Sequence, residues 1–250
     1  MTMRANKAVA VAAGLVALLL SSTAALAQTP TRISVGGDAS VAEVPSTGAN
    51  DGAVEMVTDF TAAPLPFTCT DVSISGSAER GAPVRAGSVI GHIDTLNFAE
   101  CTMTDLDFPI NGELSGMDIV ATSAAAPHAP IPIKIANIDG RLHSTGAKPW
   151  TCSMRVINRV GIDLTGSLTP GSGSIDARLT ISNANFALAL TALDATTDAP
   201  TSSGTCGGQV YSGDNLNMGA TFVLDTGGAG LIDHDDTAAI SANDSARTAP

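Results

Sequence analysis

A chain of 250 residues with 24 acidic and 12 basic residues, net −12, lacks the clustered Lys and Arg that binding a polyphosphate requires, which excludes nucleic acid as a partner. Only 14% of its residues are charged and 3% are aromatic. A core drawn from that composition is aliphatic, and the shortage of long unbranched side chains disfavours helix.

Residues 1–27 begin basic, with Arg4 and Lys7, pass through an apolar run over 8–20 and end on Ala25, Leu26 and Ala27. This is the pattern of a secretory signal peptide. The run is shorter than the about 20 residues a spanning helix needs. No second long apolar run follows, and no cysteine stands just after the cleavage point to carry a lipid. The expected mature chain starts near Gln28, has no transmembrane segment, and is secreted into the medium or loosely associated with the cell wall.

Residues 28–60 are rich in Ser, Gly, Pro and Thr and read as a flexible lead-in. From residue 61 to 225 apolar residues fall at alternate positions, the signature of strands with one buried face. The runs are Val72 and Ile74; Leu96 and Phe98; Leu106, Phe108 and Ile110; Met117 and Ile119; and Ile131, Ile133 and Ile135. Beyond them come Trp150, Cys152, Met154 and Val156; Val160, Ile162 and Leu164; Ile175, Ala177, Leu179 and Ile181; and the run from Leu216 to Leu224. Phe186, Ala189, Leu190 and Leu193 fit helical spacing, but Phe186, Leu188 and Leu190 fit a strand, and strand is the reading preferred. Asn111-Gly112, Asp139-Gly140, Pro170-Gly171-Ser172-Gly173 and Ser212-Gly213-Asp214 supply turn chemistry between runs. The fold expected is all-β, an antiparallel β-sandwich or barrel-like domain. Residues 226–250 follow as a disordered acidic tail, whose two isoleucines and one leucine cannot offset the entropy of ordering it.

The chain repeats itself. Pro66-Phe67-Thr68-Cys69-Thr70 returns as Pro149-Trp150-Thr151-Cys152-Ser153, and Gly91-His92-Ile93-Asp94 as Gly173-Ser174-Ile175-Asp176, at almost the same offset. Two matches in the same order imply an internal pseudo-repeat, with related halves at about 61–145 and 146–225. In an exported chain an even set of four cysteines reads as a disulfide framework. Of the three possible connectivities, Cys69 with Cys101 and Cys152 with Cys206 is favoured because each bridge then closes within its own half. Loops of that size give roughly 3 to 4 kcal/mol per bridge in the chain-entropy model.

The order of FTCT at 67–70, GHIDTLNFAECT at 91–102, IKIANIDGRL at 133–142, WTCSMRV at 150–156, CGGQVYSGD at 206–214 and ATFVLDT at 220–226 resembles a family of small secreted actinobacterial proteins without an assigned activity. The likeness covers about two-thirds of the chain and rests on cysteine and turn positions. It implies a secreted β-rich domain.

No sequence frame points to catalysis. His92, His128, His143 and His234 are far apart, and there is no G-x-S-x-G elbow, H-E-x-x-H or C-x-x-C. Asp105, Asp107, Asn111 and Glu113 have an oxygen-rich look, but Pro109 stands where a calcium loop needs a ligand. Gly227, Gly228, Gly230 and Asp233 miss the calcium β-roll repeat by one position and occur once, where that architecture needs several stacked copies, and the acidic run 233–236 reads as solvated. No catalytic, metal or cofactor-binding residue is therefore assigned. Tyr211, beside Asp214, is left as the one candidate platform for a ligand. The function expected is a non-enzymatic structural or binding role with an extracellular or cell-envelope partner. The alternatives are a lipid or small-molecule carrier with an apolar cavity, and a hydrolase using His92 or His143 with nearby carboxylates.

Overall fold

The computed structural model describes residues 31–35, 43–59, 64–103, 106–144, 152–171, 176–182, 185–225 and 232–235. In chain order the strands are β1 (Arg32–Val35), β2 (Glu43–Asn50), β3 (Val54–Thr58), β4 (Leu65–Glu79), β5 (Val89–Met103), β6 (Leu106–Ala121), β7 (Ile131–Ala136), β8 (Asp139–Ser144) and β9 (Ser153–Asn158). They continue as β10 (Leu164–Thr169), β11 (Ala177–Ile181), β12 (Leu188–Ala192), β13 (Asn215–Asp225) and β14 (Ile232–Asp235). A single 3₁₀ turn, Cys206–Gly208, interrupts the β-structure of the described residues.

Four strand positions are each made of two collinear pieces. β2 and β3 both lie between β4 and β13, β7 and β8 both lie along β6, β9 and β10 pair with β8 and β7 in turn, and β11 and β12 both reach β13. The result is an antiparallel barrel of eight strand positions, each hydrogen-bonded to its sequence neighbours, with the last, β13, returning to the first. The register runs from Thr47 through Ser75, Thr95, Ser115, Asp139, Ile157, Ala189 and Asn215. It comes back to the first strand at Asp59, whose amide donates to Asn215 at 3.1 Å. The circuit thus ends twelve residues beyond its start, and a stagger of this kind obliges the strands to tilt and coil around the barrel axis.

Coiling has to be accommodated locally. Gly116 (φ 65) in β6, Glu100 (φ 54) in β5 and Asn137 (φ 59) at the junction of β7 and β8 adopt left-handed backbone conformations. Each adds a residue, so the buried face steps from Leu114 to Met117, from Ile135 to Ile138 and from Phe98 to Cys101 without turning outward. Across the β6–β8 ladder two glycines allow a close approach: a Cβ on Gly112 would lie 2.2 Å from the Arg141 carbonyl oxygen, and one on Gly140 would lie 2.2 Å from that of Glu113. The inward side chains form one aliphatic core, with Phe67, Phe98 and Phe222 its buried aromatic members.

Both disulfides have the favoured pairing. Cys69–Cys101 joins residues directly opposite on β4 and β5, and Cys152–Cys206 ties the start of β9 to the 3₁₀ turn. The preference for strand over 186–193 also holds, in β12.

Other expectations are corrected. Asn111-Gly112 and Asp139-Gly140 are not turns between strands. They lie within β6 and β8, where the missing side chain serves the close approach just described rather than a reversal. Val160 and Ile162 belong to the loop between β9 and β10, with Val160 98% exposed. The stretch 28–60 carries β1, β2 and β3 in its described residues; β2 needs little apolar surface of its own because its backbone is paired on both sides. Ile33, 1% exposed, docks on the β4–β5 connection, its amide donating to Ala82 at 2.9 Å and its carbonyl accepting from Gly81 at 2.7 Å. Within 226–250, β14 pairs with β1. The leader 1–27, Trp150 and the rest of the acidic tail lie outside the described residues.

Replacing Gly112 by Val forces a side chain into the Arg141 backbone and is expected to lower stability by about 2 to 3 kcal/mol. The exposed Ser115→Val on the same strand should leave the urea midpoint nearly unchanged. Paired denaturation curves followed by circular dichroism check this.

Candidate functional site

The register places polar residues on the outer wall. On one flank Ser115 of β6, Asp139 and Arg141 of β8, Arg155 and Ile157 of β9 and Thr191 of β12 line a groove of about 470 Å³, which Leu193, Asp198 and Pro200 complete. Arg141 and Arg155 are direct register partners. Like charges so placed repel, and each arginine is met by an aspartate. Arg155 donates from Nε to Asp139 Oδ1 at 2.8 Å and from Nη2 to Oδ2 at 2.5 Å, a bidentate pair within the sheet. Arg141 donates from Nη1 to Asp198 Oδ2 at 2.8 Å, and its Nη2 lies against Asp198 Oδ1. The hydrogen bonds from Arg155 and Arg141 hold the carboxyls of Asp139 and Asp198 below the usual carboxylate range.

Asp198 is carried by a loop that rises from the barrel after Leu193. The loop is closed at its base by the bridge between Leu193 and Pro200 and by the amide of Thr201 donating to Ala192 at 3.0 Å. Asp194 organises its interior, accepting from the amides of Thr196 and Thr197 at 3.0 and 2.8 Å. On its far side a second recess of about 370 Å³ is lined by His143, Ser144, Cys152, Ser153 and Ala195. Arg141 and Asp198 line both recesses, so their ion pair is part of the wall between them. The Cys152–Cys206 bridge and the amide of Ser153, donating to Thr205 Oγ1 at 2.9 Å, fasten the segment beyond the loop to β9.

A second polar cluster spans the wall elsewhere. His92 on β5 has Asp118 opposite it on β6, and Glu79 reaches it from β4. Its Nδ1 is 2.8 Å from Asp118 Oδ1 and its Nε2 is 2.8 Å from Glu79 Oε1. Asn137 Nδ2 donates to the other Asp118 oxygen at 2.6 Å. Carboxylates only accept, so a proton on each ring nitrogen satisfies both contacts and the arrangement favours the imidazolium form. Partial burial works against that charge, but the hydrogen bonds to Glu79 and Asp118 outweigh it and raise the histidine above its ordinary 6.5. His92 is thus not on a simple solvent face. It clasps three neighbouring strands.

Tyr211 and Asp214 share one turn. Asp214 Oδ2 accepts the Tyr211 amide at 2.7 Å, and the Tyr211 ring, 46% exposed overall, lies over Gly204. Neither residue lines the groove. His143 is exposed on β8 beside the second recess, apart from His92. Of the oxygen-rich stretch, Asp105 lies outside the described residues and Asn111 Oδ1 accepts the Glu100 amide at 3.2 Å. Among the described residues no group of three or more His, Cys, Asp or Glu is placed to hold a metal, and no helix is long and apolar enough to cross a membrane.

Sequence reasoning did not single out Arg141, Arg155 or Asp198, and it read Asp139 only as turn chemistry. Their signal was faint: scarce basic residues at outward positions of two strands, and an aspartate in an unremarked loop. Comparison with protein-family models, with curated proteins and with solved structures finds no match.

The His92 clasp makes stability depend on pH. The folded value lies above the unfolded 6.5, so its contribution is complete below about pH 6.5 and is lost as pH rises through the folded value. Unfolding free energy measured by urea titration should fall as pH rises above about 6.5, and His92→Gln should flatten that fall.

Proposed function

We propose that this protein is an exported, non-enzymatic β-barrel module with a binding role at the cell surface or in the extracellular medium, and that it binds through its outer wall. The observation that carries this reading is the filled interior. Among the described residues, the void that touches the buried side chains of Ile74, Ile90, Ile119, Leu168, Leu179 and Leu224, with Ser46, Ser75, Ser77 and His92 at its rim, measures about 20 Å³, room for a single water. A carrier needs a lumen of several hundred Å³. The groove under the 194–200 loop has that capacity, and it opens on the outer wall.

Further features support the reading. The outer wall exposes Thr70, Asp71, Ser73, Asn97, Thr102 and Glu113, the reverse of a barrel immersed in lipid, which turns an apolar band outward. The two disulfides suit an oxidising compartment, in keeping with the leader read over 1–27. A general base needs a free ring nitrogen, and both nitrogens of His92 are held by carboxylates.

Titration with Nile red, a neutral apolar dye, tests the proposal. The native protein should give no saturable emission shift, and one-to-one binding would move the function into the lumen. In a panel of ester, amide and glycoside substrates, a turnover abolished by His92→Ala or His143→Ala would replace the binding role with a hydrolase.

A further inference from the structure

Resting on the outer-wall reading, we propose that the groove is a carboxylate-binding site in which Asp198 occupies the ligand's place. A small acid with a short apolar body binds by taking over Arg141 from Asp198 and lifting the 194–200 loop.

The first support is the arginine pair. The chain has 12 basic residues, yet two guanidinium groups stand directly opposite each other on adjacent strands. That arrangement costs stability, and violations of a local rule concentrate where function requires them. Two guanidinium forks side by side form a receptor for a planar anion.

The second support is the unequal hold on the two arginines. Asp139 is part of the barrel wall and engages Arg155 through two hydrogen bonds, so that pair belongs to the frame. Asp198 comes from a loop whose residues 194–200 are all exposed, and it adopts φ 60, a left-handed conformation that costs a non-glycine residue energy. Its side chain is 57% exposed against 38% for Arg141. An exposed ion pair of this kind is weak, so Asp198 is the replaceable partner. Exchanging one carboxylate for another also leaves the charge balance of the groove unchanged.

The third support is what surrounds the arginines. Nε of Arg141 is buried without a hydrogen-bond acceptor, leaving a donor for a ligand that approaches at a different angle from Asp198. Ile157, Leu193 and Pro200 offer apolar contact, and Thr191 and Ser115 offer hydroxyls. A volume of about 470 Å³ suits a small molecule. The net acidity of the chain does not forbid an anion here, because charges farther away than about 8 Å are screened at physiological salt.

The test is an amide-resolved NMR titration of the purified protein with sodium butyrate, n-butylamine and n-butanol at neutral pH and physiological salt. Butyrate should shift the amides of Arg141, Arg155, Leu193 and Asp198 saturably, and the amine and the alcohol should not. Asp198→Asn, which removes the competing carboxylate from an exposed loop, should tighten butyrate about tenfold by raising the open fraction. Arg141→Gln should weaken it by a similar factor, with an unchanged circular dichroism spectrum showing that the barrel is intact. Unaltered affinity in Asp198→Asn, or no butyrate response at these amides, overturns the proposal. Equal shifts from butanol overturn the carboxylate assignment while leaving binding at the outer wall in place, and the Nile red titration judges the outer-wall reading separately.

Discussion

Closure of the sheet with a twelve-residue stagger is the constraint on which the rest of the molecule depends. A closed barrel has no exposed edges and pairs every strand on both sides, but its strands must coil to meet. Coiling is paid for with bulges and glycines. Left-handed residues at Gly116, Asn137 and Glu100 keep the buried face inward while the strand bends. Gly112 and Gly140 let neighbouring backbones approach more closely than any side chain would permit. Once those positions are set, the interior is a closed volume, which Ile, Leu, Val, Met and a few Phe side chains fill.

A filled interior decides where chemistry can reside. With the inward positions committed to packing, all the charged residues described and most of the polar ones lie on the outer wall and on the loops that rise from it, Thr58 and Ser153 being buried strand exceptions. There the strand register decides which of them meet. It sets Asp118 beside His92 and Arg155 beside Arg141, and the two rows resolve their charge differently. The first sets a histidine between two carboxylates and braces the wall. The second opposes two cations and must draw in countercharge, from Asp139 within the sheet and from Asp198 in a loop.

Much of the wall was legible in the sequence. Alternation located β7, β11 and β13, and an even cysteine count with two echoing pentapeptides pointed to the correct bridges. The two misread turns share one cause. Asn-Gly and Asp-Gly are turn dipeptides because they lack bulk and tolerate unusual backbone angles, and a coiled barrel strand asks for the same properties. Asn111-Gly112 and Asp139-Gly140 could not be told from turns without knowing that they face each other across one ladder. β2 was hidden because its sequence, EVPSTGAN, has almost nothing to bury, and it is held by its two neighbours. The groove was hidden for the reason that makes it a groove: its parts come from four strands and a loop, and only the register brings them together.

The second disulfide acquires its meaning from that geometry. Cys69–Cys101 lies within the wall and links strands already paired. Cys152–Cys206 instead fastens an excursion, 193–210, which would otherwise be tied to β9 and β12 by scattered hydrogen bonds. An anchored excursion can carry a loop that moves without carrying away the rest, since displacing Asp198 need break only the ion pair and contacts within 194–200. In the proposed carboxylate site the sheet with Arg155 and Asp139 is the fixed side of the groove, and the loop with Asp198 is the side that is exchanged. The proposed exchange rests on the division between one face preorganised to define a ligand and another that can admit it.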